Sequence, residues 1–237
     1  MNNPGKLYLV PTPIGNLGDM TFRAVDVLKN AGFILAEDTR VSNTLLTHYR
    51  IRAKVIAHHK FNEHKTVDSV VEKLSTGEAA AMITDAGTPG ISDPGYLIVK
   101  KCIEAGIEVE CLPGATALIP ALAVSGLPSD RFVFEGFLPH KKGRQKRLQA
   151  LEREVRTMVF YESPFRLLKT LEQLGAILGN SRLCCVCREL SKIHEEIFRG
   201  SISDVYGHFS KKNIKGEIVL IVAGADKKEL KDNGIIP

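Results

Sequence analysis

Apolar and polar positions follow two rhythms along the first half of the chain. Short apolar runs recur at Lys6–Val10, Phe33–Ala36, Val55–Ala57, Ala79–Ile83 and Val109–Leu112. Brief runs without strict alternation suit strands buried on both faces of a parallel sheet. Between them the apolar period lengthens toward a helical one. Phe22, Val25 and Leu28 make one stripe behind a Thr21 cap, and Val67, Val70, Val71 and Leu74 make a second. Gly32 and Gly77 close those two helices.

The stretch Ala79 to Gly95, AAAMITDAGTPGISDPG, organises this half. Its apolar start is a buried strand, and its loop exceeds the two to six residues of an ordinary strand-to-helix turn. Asp93 and Pro94 are read as the N-cap and first position of the next helix. Polar clusters also follow the other strands, at Thr12, Glu37 and His58. In a parallel sheet these ends share one edge, so the clusters converge where open α/β sheets bind ligands. Pro113-Gly114-Ala115-Thr116 meets the same edge, and the apolar helix from Ala117 to Val124 is expected to be buried.

Ser125 to Asp130, SGLPSD, reads as a linker. It divides the chain into an N-terminal α/β domain, 1–128, and a C-terminal α/β domain, 129–237. Further strands are expected at Phe132–Phe134, Met158–Tyr161, Leu183–Cys187, Glu195–Phe198 and Ile218–Val222. Ser163-Pro164 is read as the cap of a helix with Phe165, Leu168 and Leu171 on one face. The final KKELKDNGIIP is expected to fray. The first sheet should be mostly parallel and the second mixed. No G-x-G-x-x-G follows the first strand and no P-loop is present, which counts against a Rossmann dinucleotide or methyltransferase site.

Charge changes this picture more than composition does. Residues 1–128 hold 12 Lys and Arg against 13 Asp and Glu, whereas residues 129–237 hold 20 against 14. The densest basic run is His140 to Arg147, which suggests a polyanionic partner. Five cysteines, with no secretory signal layout, indicate reduced thiols. Cys184, Cys185 and Cys187 lie in a strand without a partner pair at zinc spacing and are read as buried thiols. No apolar run reaches membrane-span length, so the expected compartment is the cytoplasm.

The motifs LYLVPTPIGNLGD, AEDTR, HHKFNEH, DAGTPGISDPG, LPGATALIPALAVSGLP, FEGFLP, VFYESPFRL and CRELSKIHEE occur in that order from about Leu7 to Ala223. In this the chain resembles the ribosomal RNA small subunit methyltransferase I family, a branch of the tetrapyrrole-methylase fold. The resemblance implies two α/β domains with S-adenosylmethionine in the cleft between them, a homodimer, and no membrane. It implies 2′-O-methylation of a cytidine ribose in the decoding region of 16S ribosomal RNA, the partner being that RNA or the small ribosomal subunit. Carried over by motif, Pro13, Ile14, Gly15, Asp85, Gly87, Thr88, Pro89, Ile91, Ser92, Thr116, Ala117 and Tyr161 would bind the cofactor. Wider relatives tend to have a methionine and a glycine where this chain has Glu162 and Ser163. Many members also extend further at the C-terminal end than this chain does.

Methyl transfer to a ribose hydroxyl needs alignment and gains from a base, for which Glu162 and Glu189 are the candidates. Either could equally be an ion partner of Arg188 or Lys192. Substrate contacts are expected from Glu37, Asp38, Arg40, His59, Asn62, Glu63, Lys141, Lys142, Arg144, Arg188 and Lys192. A structural ion pair is the competing reading for Glu37, Asp38 and Arg40. No metal is expected. The alternatives are a small-molecule methylase of the same fold acting on a tetrapyrrole or corrin, and a non-catalytic nucleotide- or RNA-binding module. The basic clusters and sparse aromatic residues count against the first, the ordered cleft motifs against the second.

Overall fold

A computed structural model describes residues 5–226. The chain divides into two compact units between Thr116 and Ala117. The first unit runs β1 (Lys6–Leu9), α1 (Phe22–Asn30), β2 (Phe33–Ala36), α2 (Thr39–His48), β3 (Val55–Ala57), α3 (Glu63–Ser75), β4 (Ala80–Ile83), α4 (Tyr96–Glu104) and β5 (Glu108–Cys111). Its sheet has the order β3-β2-β4-β1-β5, with every pairing parallel. Strand alternation sorts the core into two layers. Leu7, Phe33, Leu35 and Met82 meet Val67, Val70, Leu74 and Ile98 of α3 and α4. Val10, Ile34, Ala36 and Ile83 meet Ala24, Leu28 and Leu46 of α1 and α2. Helices on both faces explain why the interior strands β2 and β4 are apolar throughout.

The second unit runs α5 (Leu118–Val124), β6 (Phe132–Phe137), α6 (Arg144–Ala150), β7 (Thr157–Glu162), α7 (Leu167–Leu178), β8 (Leu183–Arg188), β9 (Glu196–Ser201), α8 (Ile202–Phe209) and β10 (Ile218–Val222). Its sheet order is β6-β7-β10-β8-β9, and β6–β7 is its parallel pair. The expected parallel and mixed sheets are therefore both found. One face packs on α6, α7 and α8; the other receives Ala121 and Leu122 of α5 against Val159, Cys185, Cys187, Val219 and Ile221. Cys184 lies in the first of these layers and Cys187 in the second, with Cys185, and all three are buried as expected. Burial pushes the Cys184 thiol up to about 12, which keeps it inert.

Several local expectations are corrected. The units part before α5 rather than after residue 128, because α5 packs on the second sheet. That helix is not wholly buried: Ile119 is half exposed. Thr21 does cap α1, accepting from the Ala24 amide at 3.1 Å, but the buried stripe is Ala24 and Leu28, and Phe22 is 93% exposed. Helix α4 begins at Tyr96 behind Gly95, whose φ of 146° only glycine adopts readily. Asp93 therefore belongs to the loop and not to the cap. Phe165 precedes α7, whose buried face is Leu167, Thr170, Leu171, Leu174 and Leu178. Helices α2, α6 and α8 were not expected. The fraying expected of the last residues concerns positions outside the described ones.

Candidate functional site

The C-terminal ends of β4, β1 and β5 are neighbours in the first sheet, and their loops are laced together. Thr12 and Gly87 exchange two backbone hydrogen bonds of 2.9 Å. The Thr12 hydroxyl donates to the Thr84 carbonyl at 3.0 Å, and the Thr88 hydroxyl donates to Ala115 at 3.0 Å. A Cβ on Gly114 would stand 2.7 Å from Cβ of Pro11, so only glycine permits this approach. Gly87 takes a φ of 82° and packs over Ile14. The prolines and glycines of the loops thus fix a backbone scaffold at the reversal of strand order, β4-β1-β5. Thr88 braces that scaffold with its hydroxyl, while Ile91 and Ser92 are exposed on it. Pro13 and Ile14 are half-buried beside it, with Gly15 exposed and Pro89 buried.

Next along the edge, β2 and β4 bring three carboxylates together. Burial, then the charges of Glu37 and Asp85, push Asp93 up to about 6. Burial and Asp85 likewise raise Glu37, and loss of hydration raises Asp85. Asp85 also accepts the Asp38 amide at 3.2 Å. Asp38 caps α2 through the Arg40 amide at 2.8 Å and pairs with the Arg40 guanidinium at 2.7 Å, so it stays ionised. These two residues adopt the ion-pair reading. Asn62 spends its amide on Ala57 and its oxygen on the His59 amide, shaping the turn before α3, which begins at Glu63. His58 is fully buried against Thr66, and burial lowers its basicity; His59 is half-buried. The sequence reading missed the carboxylate group, because Asp93 was assigned to a cap and the adjacency of β2 to β4 is not visible in the chain order.

The second unit also gathers its sequence candidates at one sheet edge, but most are already engaged. The carboxylate of Glu162 accepts from the Ser163 amide at 2.7 Å and the Thr170 hydroxyl at 2.6 Å, and forms an ion pair with Arg166 at 2.8 Å. Its side chain is 1% exposed. Glu189 adopts a φ of 53° and accepts from Lys192 at 3.0 Å and the Glu217 amide at 2.9 Å. Burial works to raise its pKa, but these bonds and the Lys192 charge prevail and lower it. Both carboxylates are engaged within the unit: Glu162 is sealed in, and Glu189 spends an oxygen on Lys192 and the Glu217 amide. Arg144 is buried and donates to Gln173, Pro139 and Thr170, so it cannot reach a phosphate. Arg188 donates to Glu196, Lys215 and His194, and Lys192 bridges Glu189 and Glu217. Lys141 and Lys142 are exposed. Tyr161 is half-buried, edge-on to Phe134 and Phe137. Thr116 and Ala117 stand at the junction of the two units.

Among the described residues no group of three or more His, Cys, Asp or Glu side chains is arranged to hold a metal ion. Nor is any described helix long and apolar enough to cross a membrane.

Comparison with known proteins places these features in a lineage. Residues 6–206 match the family model for tetrapyrrole (corrin/porphyrin) methylases. A ribosomal RNA small subunit methyltransferase I from Synechocystis sp. is 50% identical over 226 residues, covering 95% of this chain and 81% of the relative. The protein of that name from Thermotoga maritima is 46% identical, covering 94% of this chain and 100% of its own. Among solved structures, uroporphyrin III C-methyltransferase from Thermus thermophilus has a TM-score of 0.64 at 18% identity, covering 92% of this chain and 97% of its own. That likeness is one of fold. The chain belongs to the tetrapyrrole methylase family and, within it, to the ribosomal RNA small subunit methyltransferase I branch.

Proposed function

We propose that this chain transfers a methyl group from S-adenosylmethionine to the 2′-oxygen of a cytidine ribose in the decoding region of 16S ribosomal RNA. The observation that carries the reading is identity of 46% and 50% with the two named relatives across nearly the whole chain. When bound, S-adenosylmethionine supplies a methyl already activated on a sulfonium, so the protein's task is chiefly alignment.

The residues on the first sheet edge fit such a cofactor. Backbone from the Pro11–Gly15, Thr84–Ser92 and Leu112–Thr116 segments forms a narrow cradle closed by Gly87 and Gly114. The carboxylates of Glu37 and Asp85 suit a cationic ligand bearing ribose hydroxyls. Exposed Lys141 and Lys142 suit RNA phosphates. Glu162 and Arg144 serve instead by holding the turns of the second unit in position. The reading extends to a cytoplasmic homodimer; light scattering at micromolar concentration should give twice the chain mass, and a monomer would remove that part.

A tetrapyrrole substrate is the alternative that the fold permits. Mapping ribose methylation on ribosomal RNA from a strain lacking this protein decides between them. Loss of one methylated cytidine is expected; an unchanged map would refute the RNA reading.

A further inference from the structure

We infer that the edge of the second sheet carries a base-stacking subsite for unpaired RNA, with Phe165 as its main platform and Phe137 as its neighbour. The inference rests on the RNA reading above and adds residues that bind bases rather than phosphates.

Phe165 lies in the turn after β7 and is 93% exposed; Phe137, at the end of adjacent β6, is 55% exposed. A single exposed phenyl needs no explanation. Phe137, however, belongs to a series of rings on the parallel pair β6–β7, and Phe165 stands in the turn that follows β7. Phe137 packs edge-on to Tyr161 at 5.7 Å, and Tyr161 packs on Phe134 at 5.0 Å.

The turns that carry these rings are unusually well anchored. The Ser163 carbonyl accepts from the Arg166 and Leu167 amides at 2.9 and 3.0 Å, and the Ser163 hydroxyl accepts the Phe165 amide at 3.3 Å. Beneath them, Arg166 pairs with Glu162 and donates to the Leu138 carbonyl at 3.3 Å. Arg144 donates to the Pro139 carbonyl at 3.2 Å and to Thr170, which donates to Glu162. One buried ion network therefore ties the turn after Phe137 to the turn bearing Phe165. A platform fixed before binding loses little freedom when a ligand arrives.

The charge around the rings selects the occupant. Residues 137–147 contain five Lys and Arg and residues 163–169 contain two; Arg144 is buried, Arg147 pairs with Glu135 and Arg166 with Glu162, which leaves the lysines as the outward charge. Lys141, Lys142, Lys146 and Lys169 are exposed. Flat apolar rings among cations match an unstacked nucleobase on a phosphate backbone. A duplex hides its base faces and would use the lysines alone. A second copy of this chain meeting the same edge about a two-fold axis would oppose like charges.

The test compares two fluorescein-labelled single-stranded RNAs of roughly ten nucleotides, one with bases and one abasic. Affinity is read by anisotropy at one salt concentration. Phe165→Ala should weaken binding of the base-containing RNA about 5- to 150-fold. It should leave the abasic RNA, S-adenosylmethionine binding and the molecular mass from light scattering unchanged. Phe165→Trp should restore binding, and Phe137→Ala should show a smaller loss of the same kind. Unchanged binding by Phe165→Ala overturns the subsite. An equal loss on the abasic RNA, or a loss that accompanies a change of mass, overturns it as well. If the wild-type chain binds S-adenosylmethionine but neither RNA, the RNA reading itself fails and the subsite falls with it.

Discussion

Replacing Glu162 distinguishes a structural carboxylate from a catalytic one. The side chain is 1% exposed, receives hydrogen bonds from Ser163 and Thr170, and pairs with Arg166. Glu162→Ala strands the Arg166 guanidinium and loosens Thr170, on which buried Arg144 depends. Removing one partner of a buried ion pair costs about 3–5 kcal/mol. For a unit of this size, that lowers its thermal midpoint by about 10–20 °C. Glu162→Gln keeps the shape but loses the charge, and should cost about 1.5–3 kcal/mol. Thermal and urea unfolding, followed by a probe in the second unit, measure both. Below its midpoint, the Gln variant should retain methyl transfer within a few-fold of the wild type, because the turn persists. A base at this position would behave in the opposite way. Stability would be nearly unchanged while transfer fell by about 10²- to 10⁴-fold. That result would refute the assignment.

Four further outcomes follow from the geometry. Gly114→Val places a side chain against Pro11 and should destabilise the first unit by about 1–3 kcal/mol; calorimetry should also show weakened S-adenosylmethionine binding, and unchanged affinity would count against the cradle. Asp93 has a folded-state pKa of about 6, above its ordinary value, so the folded chain holds this proton more tightly than the unfolded one. Its contribution to stability therefore rises as pH falls through 6 and is complete near 4; Asp93→Asn should remove that dependence and add about 1–2 kcal/mol at pH 7.5, whereas an unchanged stability curve would refute the crowding. Replacing Lys141, Lys142 and Lys146 together by Glu should weaken RNA binding and lower its salt slope by about 2–3. Arg144→Glu should instead unfold the second unit, and a folded Arg144→Glu protein with a reduced salt slope would return Arg144 to the RNA surface.

The strands were legible because apolar runs such as Phe33–Ala36 and Ile218–Val222 have few other uses. Their polar endings were legible too, since a parallel sheet sends all of them to one edge. Helix α2 was not, because its buried positions are Ser42 and Leu46, too sparse for an apolar stripe. Helix α8 carries a readable signal in the Ser201–Asp204 capping box. Phe22 and Phe165 fit helical spacing on paper, but periodicity does not reveal whether a helix's first residues meet the core. The site shows the same limit. Loop glycines declare themselves locally, whereas Glu162 is defined by Thr170 and, through it, Arg144, partners brought in from α7 and α6. Arg144 lies in the densest basic run and still points inward, because Gln173 and Pro139 await it there. The crowding of Asp93 with Glu37 and Asp85 depends on strand order, which no local pattern encodes.

The central claim is that a methyl group passes to a ribose oxygen of small-subunit RNA. Purified protein, S-adenosylmethionine labelled in its methyl group, and small ribosomal subunits from a strain lacking this protein are the components required. After nuclease digestion, mass spectrometry should find the label on one cytidine 2′-oxygen, with the adjoining phosphodiester resistant to alkali. Label on a base, label on an added tetrapyrrole, or no transfer to the RNA would contradict the account.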